Sequence, residues 1–286
     1  MRKQFFLTAL FSFLIGVIAG LIFLFLTKPN APTVPASQSQ LKNVVDGALV
    51  GSKGTYGLVV TNLKTGETYS VNPDRRFNSA SLYKLWVMAT AYDQIAKGNL
   101  DKDEVLSRDV AALNSNFNIA TDEAELAEGT ITMTVGEALN QMIAISHNYA
   151  ALLLSERVGL KNITAFLTDH GLRQSQLGEP PQTTAADTAR FFVKLYRGEL
   201  ANQTYTDEMV VVLKAQTFND KIPRGLPDEV PVAHKTGEVD YFSHDGGIVF
   251  GRKSDYVIVV LSESDFPPGA EERIATISQA VYEYFE

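Results

Sequence analysis

Cysteine is absent from the 286 residues. Its absence removes disulfide frameworks, thiolate zinc sites, iron–sulfur clusters and cysteine nucleophiles together, and it suits an oxidising compartment. Histidine is scarce. His147, His170, His234 and His244 show no His-x-His or His-x-x-x-His spacing, which argues against a zinc hydrolase, so neither metal nor cofactor is expected. Positive charge is in deficit, with 25 Lys and Arg against 33 Asp and Glu and a net charge of −8. A nucleic-acid partner is therefore not expected, because phosphate neutralisation needs a basic surplus, and the acidic balance serves solubility. Proline (11) and glycine (20) are too few for collagen-like or Pro-rich classes. What remains, 45% apolar and 20% charged, is an ordinary globular composition, and the length allows one large domain or two interleaved ones.

One long hydrophobic run is present. Residues 5–26 carry no charge, follow Arg2 and Lys3, and precede Lys28. Spanning a bilayer takes about 20 residues, and secretory signal cores are shorter, so residues 1–28 are read as an uncleaved transmembrane anchor. The cationic start keeps the amino terminus in the cytoplasm and places the rest outside it, at the cell membrane on a single span. Residues 29–40, rich in Pro, Ser and Gln, read as a flexible linker. The folded part is then 41–286.

Within it, Leu41, Val44, Val45, Ala48 and Leu49 recur at helical spacing. Two β-rich runs, 56–61 and 67–71, flank a polar turn at Lys64-Thr65-Gly66 and predict an antiparallel hairpin. Residues 81–198 are mainly helical in texture, and Trp86 is assigned to their core. Strand texture returns after Val230, notably at 248–251 and 256–261. A last amphipathic helix aligns Ile274, Ile277, Val281, Tyr284 and Phe285. This order predicts an α/β (α+β) fold: an antiparallel sheet built from both ends of the chain, flanked by terminal helices, with an all-helical domain inserted. The α/β part is 41–76 and 205–286, and the helical part 77–204.

Three short elements carry chemistry. Ser81 and Lys84 stand at i and i+3 where small polar residues give way to an apolar helical run, so hydroxyl and amine share a helix face. A lysine whose pKa is lowered by burial or a nearby cation can take a serine's proton. About one such pair is expected by chance in a chain this long, and a helix cap followed by a solvated lysine explains it as well. Ser146-His147-Asn148 lies between two helical runs, where capping is an equal reading; a serine there could relay a proton to a leaving nitrogen. Lys235-Thr236-Gly237-Glu238 sits on a β-like run, where strand backbone and a lysine could hold a carboxylate-bearing substrate. The same four residue types recur at Lys64 to Glu67, where turn chemistry accounts for them, so the tetrapeptide alone identifies nothing.

Taken together and in order, Ser-x-x-Lys, Ser-x-Asn and Lys-Thr-Gly make this chain resemble the class A β-lactamases, within the penicillin-recognising serine enzymes. The resemblance covers about residues 41–285 and extends to 77–84, 134–139, Gln216-Thr217-Phe218 and Ser243-His244-Asp245. It implies that Ser81 attacks a lactam or peptide carbonyl to form an acyl-enzyme. It further implies that Lys84 assists deprotonation, that Ser146 returns a proton to the leaving nitrogen, and that Asn148 binds a substrate carbonyl. Lys235 and Thr236 would hold the substrate carboxylate, Gly237 would allow close approach, and the backbone N–H groups of Ser81 and Glu238 would form the oxyanion hole. The implied partner is a small-molecule β-lactam or a peptidoglycan stem peptide, handled by a monomer. Three readings follow: a membrane-anchored β-lactamase, a D-Ala-D-Ala carboxypeptidase or transpeptidase, and a sensor domain that binds β-lactams without turnover.

The pattern departs from the family at two places. The family's deacylating glutamate corresponds to Glu179, in a shortened loop with Thr183 where an asparagine is usual, so Glu179 reads equally as general base or solvated turn residue. His147 stands where the family usually has Asp. The acidic stretch 122–128 is read as a solvated face.

Overall fold

The computed structural model describes residues 36–286, with side chains from residue 40 onward. The run 5–26 expected to form an anchor lies outside them. Among the described residues no helix is long and apolar enough to cross a membrane. The first helix, α1, covers Ala36–Leu49 and so takes in the last residues assigned to the linker. Ser37–Glu286 form one compact unit.

Five strands make the main sheet: β1 (Thr55–Asn62), β2 (Thr68–Val71) and, from the other end of the chain, β7 (Val232–Val239), β8 (Phe242–Val249) and β9 (Tyr256–Glu263). Their order is β2-β1-β9-β8-β7, antiparallel throughout, so β7 is an edge. Successive side chains on a strand point to opposite faces, and here both faces are covered. Leu58 and Val60 of β1 and Ile258 and Val260 of β9 pack with Leu41 and Val45 of α1 and with Ile274, Ile277 and Val281 of the last helix, α9 (Pro267–Phe285). Val59, Val257, Val259 and Leu261 join the other core, which contains Phe191 and Phe192. Alternation between two cores, instead of between core and water, is why β1 and β9 read as near-continuous apolar runs.

The intervening chain carries β3 (Phe77–Asn78), a 3-10 turn (Ala80–Tyr83), α2 (Lys84–Ala96), β4 (Val105–Asp109), α3 (Val110–Asn116), β5 (Thr130–Thr134), α4 (Val135–Ala144), α5 (Asn148–Val158), α6 (Leu160–Asp169), β6 (Gln182–Thr183), α7 (Ala185–Tyr196) and α8 (Gln203–Lys214). Helix α2 is buried on nearly every side from Lys84 to Tyr92, and Trp86 sits in the core as expected. Its neighbours α4, α5, α6 and α8 surround it.

Three features depart from the expectation. The helical part also holds two short ribbons, β3–β6 and β4–β5. Strand β8 starts at Phe242 and ends at Val249, whereas the β-branched texture begins only at Ile248; its first half is Ser243, His244 and Asp245, polar residues that are fully buried. The division at 204/205 falls inside α8.

The Lys64-Thr65-Gly66 turn is held as turn chemistry requires. Buried Asn62 accepts from the N–H groups of Lys64 (3.0 Å) and Thr65 (2.9 Å) and from Ser254 Oγ (2.8 Å), and Gly66 takes φ 76°. Losing these partners strands a buried hydroxyl as well as two amides. Asn62→Ala is expected to lower the unfolding free energy by about 2 kcal/mol, and Asn62→Asp, which keeps the acceptor, by less, both read from denaturant melts.

Candidate active site

The turn that carries Ser81 is fixed from both sides. Asn78 Oδ1 accepts from Ala80 N–H (2.9 Å), Ser79 N–H donates to Pro181 O (2.8 Å), and His244 Nε2 lies 2.7 Å from Asn78 O. His244 Nδ1 accepts from Ser262 N–H (3.1 Å), which leaves Nε2 to donate. Burial lowers its pKa to about 4, so it stays a neutral brace between β8, β9 and the segment before Ser81. Ala80, held in this way, adopts φ 44°, in the left-handed region that costs a non-glycine residue about 1–3 kcal/mol. Strand β7 packs directly on the turn. A Cβ at Gly237 would stand 3.0 Å from Ser79 O and 3.3 Å from Ala80 Cβ, tighter than ordinary contact, so glycine lets the strand come this close without displacing the turn. Ser81 itself is half-buried.

Lys84 opens α2 and is fully buried. Its Nζ donates to Ser146 O (2.6 Å), Ser146 Oγ (3.1 Å) and Asn148 Oδ1 (2.6 Å). Burial pulls its pKa down from 10.5 to about 7, with the Glu125 carboxylate opposing that shift. Ser146 is presented by the α4–α5 junction. It takes φ 57° just past the end of α4, which swings its carbonyl toward Lys84, and His147 then caps α5 by accepting Ala150 N–H on Nδ1 (3.2 Å). His147 therefore performs the capping that the motif position demands.

Lys235, also fully buried, donates from Nζ to Ser146 Oγ (3.1 Å) and Thr236 O (2.8 Å). Burial first, and the neighbouring Lys84 charge second, push its pKa well below the ordinary lysine value; Asp245 opposes this. Two lysines thus converge on one hydroxyl. Because a serine oxygen has two lone pairs, accepting from both leaves its own O–H as the donor for a third group. Thr236 is buried beside Lys235, while the Glu238 side chain points outward and pairs with the buried Lys221.

Of the residues singled out from the sequence, Lys84, Ser146, Asn148 and Lys235 are joined by hydrogen bonds, Thr236 is buried next to Lys235, and Gly237 packs on the 3-10 turn that carries Ser81. Glu238 lies at the rim. Glu179 does not join them: its carboxylate accepts from Asn118 Nδ2 (2.7 Å) at the surface and bonds to none of the cluster. Two participants were not singled out. Glu125 accepts from Asn148 Nδ2, which orients the amide so that Oδ1 faces Lys84, and Lys221 adds a buried cation next to β7. Nothing in the acidic run 122–128 distinguished Glu125 from its solvated neighbours. A solitary lysine in Asn219-Asp220-Lys221 likewise carried no pattern. Among the described residues, no group of three or more His, Asp or Glu gathers as a metal site.

Comparison with known proteins agrees with this geometry. A model of the β-lactamase enzyme family matches residues 36–285. The chain is 23% identical to β-lactamase VEB-1 of Pseudomonas aeruginosa over 228 residues, covering 72% of this chain and 75% of the relative. Among solved structures it is similar to a β-lactamase from Sphaerobacter thermophilus (25% identity, TM-score 0.74, 85% of this chain and 95% of the other). It is similar also to a mutant of PBP-A solved as an acyl-enzyme with penicillin G (23% identity, TM-score 0.74, 87% and 96%), a likeness of fold. A match spanning nearly all the described residues, on a fold shared with penicillin-recognising serine enzymes, shows that the chain belongs to the β-lactamase enzyme family, as a serine hydrolase of β-lactamase type.

Proposed function

We propose that the chain opens β-lactams through an acyl-serine on Ser81 and then hydrolyses that ester. The observation that carries this reading is the pair of buried lysines meeting on Ser146 Oγ, one of them, Lys84, three residues after Ser81. With a pKa near 7, Lys84 is largely a neutral amine at slightly alkaline pH. As an amine its two N–H groups serve the two short contacts, Ser146 O and Asn148 Oδ1, and its lone pair takes the place of the third N–H, which the ammonium gives to Ser146 Oγ. Lys84 takes the Ser81 proton as Oγ attacks the carbonyl, and the N–H groups of Ser81 and Glu238 receive the oxyanion. As the C–N bond breaks, Ser146 gives its proton to the nitrogen and is reprotonated from the Lys84 ammonium, which restores the neutral amine. Lys235 and Thr236 hold the substrate carboxylate, and Asn148 Nδ2 receives the carbonyl of the acyl side chain.

Hydrolysis of the ester then proceeds in this reading without Glu179, which is engaged with Asn118. The regenerated Lys84 amine is the base within reach of a water at Ser81. Deacylation is accordingly slower than acylation, and the adduct accumulates. The position of Glu179 also favours a second reading, a D-Ala-D-Ala carboxypeptidase or transpeptidase acting on peptidoglycan, for which a long-lived β-lactam adduct is a side reaction. A sensor that acylates once is the limit of the same behaviour. We further propose that residues 5–26 anchor the enzyme with its catalytic part outside the cytoplasm; the support is their uncharged length after Arg2 and Lys3.

A fluorescent penicillin separates these readings. The expected result is label on the parent and none on Ser81→Ala, followed by slow release of ring-opened acid, with Glu179→Gln losing label at the parent rate. Persistent label together with D-Ala release from a pentapeptide would favour the peptidase. Absence of label on the parent would contradict the whole scheme. The pH dependence has a fixed sign: because the Lys84 pKa lies below its ordinary value, the competent amine is depleted below about 7 and present above it. Stopped-flow acylation rates are expected to rise with pH through a midpoint near 7, and Lys84→Arg, always protonated, to lose at least about 100-fold.

A further inference from the structure

Asn148 is bonded at both ends of its amide. Oδ1 accepts from Lys84 in the interior, and Nδ2 donates to the Glu125 carboxylate on the outside. In the acyl-serine reading, on which this inference rests, Nδ2 is also where the carbonyl of the substrate's acyl side chain docks. A group attached next to that carbonyl therefore comes to lie against Glu125.

The placement of Glu125 is built into the fold. The next residue, Leu126, is held at its N–H by Tyr149 Oη (3.1 Å) and at its carbonyl by Tyr149 Oη (2.9 Å) and Asn114 Nδ2 (2.9 Å). Tyr149 follows Asn148 directly on α5, so the helix start that aims Asn148 at Lys84 also pins the segment carrying Glu125. The carboxylate is exposed and forms no ion pair among the described residues, whereas Glu123 and Glu128, in the same acidic run, have no bond to the site. The two sides of the site thus differ: Lys235 stands on β7 and Lys221 pairs with Glu238 at its end, whereas Glu125 brings a carboxylate to Asn148 at the start of α5.

We propose that Glu125 is a specificity-determining residue: its carboxylate, held against Asn148, receives an ammonium group on the acyl side of the substrate, so that the site prefers zwitterionic acyl donors. The complementary molecule carries a carboxylate for Lys235 and Thr236 at one end and, at the other, a primary amine on the carbon next to the acyl carbonyl. Aminobenzyl penicillins have this chemistry. So do peptides with a free amino group near the cleaved bond.

The test uses the full chain and a matched pair, a benzylpenicillin and its α-amino counterpart ampicillin, which differ by the ammonium alone. The quantity read is the ratio of their second-order acylation rates, followed by intact mass of the Ser81 adduct. The parent is expected to favour the amino compound. In Glu125→Gln, which keeps an acceptor for Asn148 but removes the charge, the ratio is expected to fall about 2- to 5-fold, the size of effect an exposed ion pair supplies. Raising the salt concentration should move the parent ratio toward that of the variant, because exposed charges are screened. A merely structural role for Glu125 would slow both penicillins alike, so equal ratios in parent and variant would overturn the proposal while leaving the acyl-serine reading intact. If neither penicillin acylates the parent, the acyl-serine reading falls and this inference with it.

Discussion

The site depends on a lysine buried where no lysine is comfortable. Taking an ammonium out of water costs several kcal/mol even when it is well partnered. Lys84 is fully buried at the start of α2, and the chain meets that cost in two ways. It supplies three acceptors within 3.1 Å, and it lets the group shed its proton near neutrality. Much of the surrounding structure serves that arrangement. Ser146 adopts a left-handed backbone to offer its carbonyl, and Glu125 fixes which end of the Asn148 amide faces inward.

Ser81 is held by a different device. Ser81 lies on a turn that is clamped by Asn78, His244 and the Pro181 carbonyl and is overlaid by an edge strand that approaches closely at Gly237. Because β7 has a sheet neighbour on one side only, alternate backbone groups on its other side remain available for a substrate laid alongside it. In the proposed mechanism the two halves of the fold thus have separate tasks: the sheet edge binds, and the helical part presents the base and the proton relay.

Much of this was legible in the sequence because spacing maps directly onto geometry. Ser81 and Lys84 at i and i+3 were expected to share a face, and the β-rich runs at 56–61 and 256–261 marked strands that the structure shows as β1 and β9. The Lys64 to Glu67 duplicate was correctly set aside, since Asn62 and Gly66 explain it. The parts that stayed hidden depend on contacts between distant segments. Ser243, His244 and Asp245 form a buried strand through partners on β7, β9 and the segment at Asn78, and no local pattern foretells them. Glu125 differs from Glu123 and Glu128 only because Leu126 is pinned to Tyr149. Glu179 has the Glu-Pro sequence of a catalytic loop, yet the loop delivers its carboxylate to Asn118.

The central claim is that Lys84 is a neutral amine near physiological pH, and it can be read without substrate. Heteronuclear NMR of the protein carrying 13Cε-labelled lysine, with the Lys84 signal assigned by its loss in Lys84→Arg, follows that one group through a pH titration. A midpoint near 7 is the predicted result. A Lys84 signal that stays protonated up to the ordinary lysine range, near 10.5, would contradict the account.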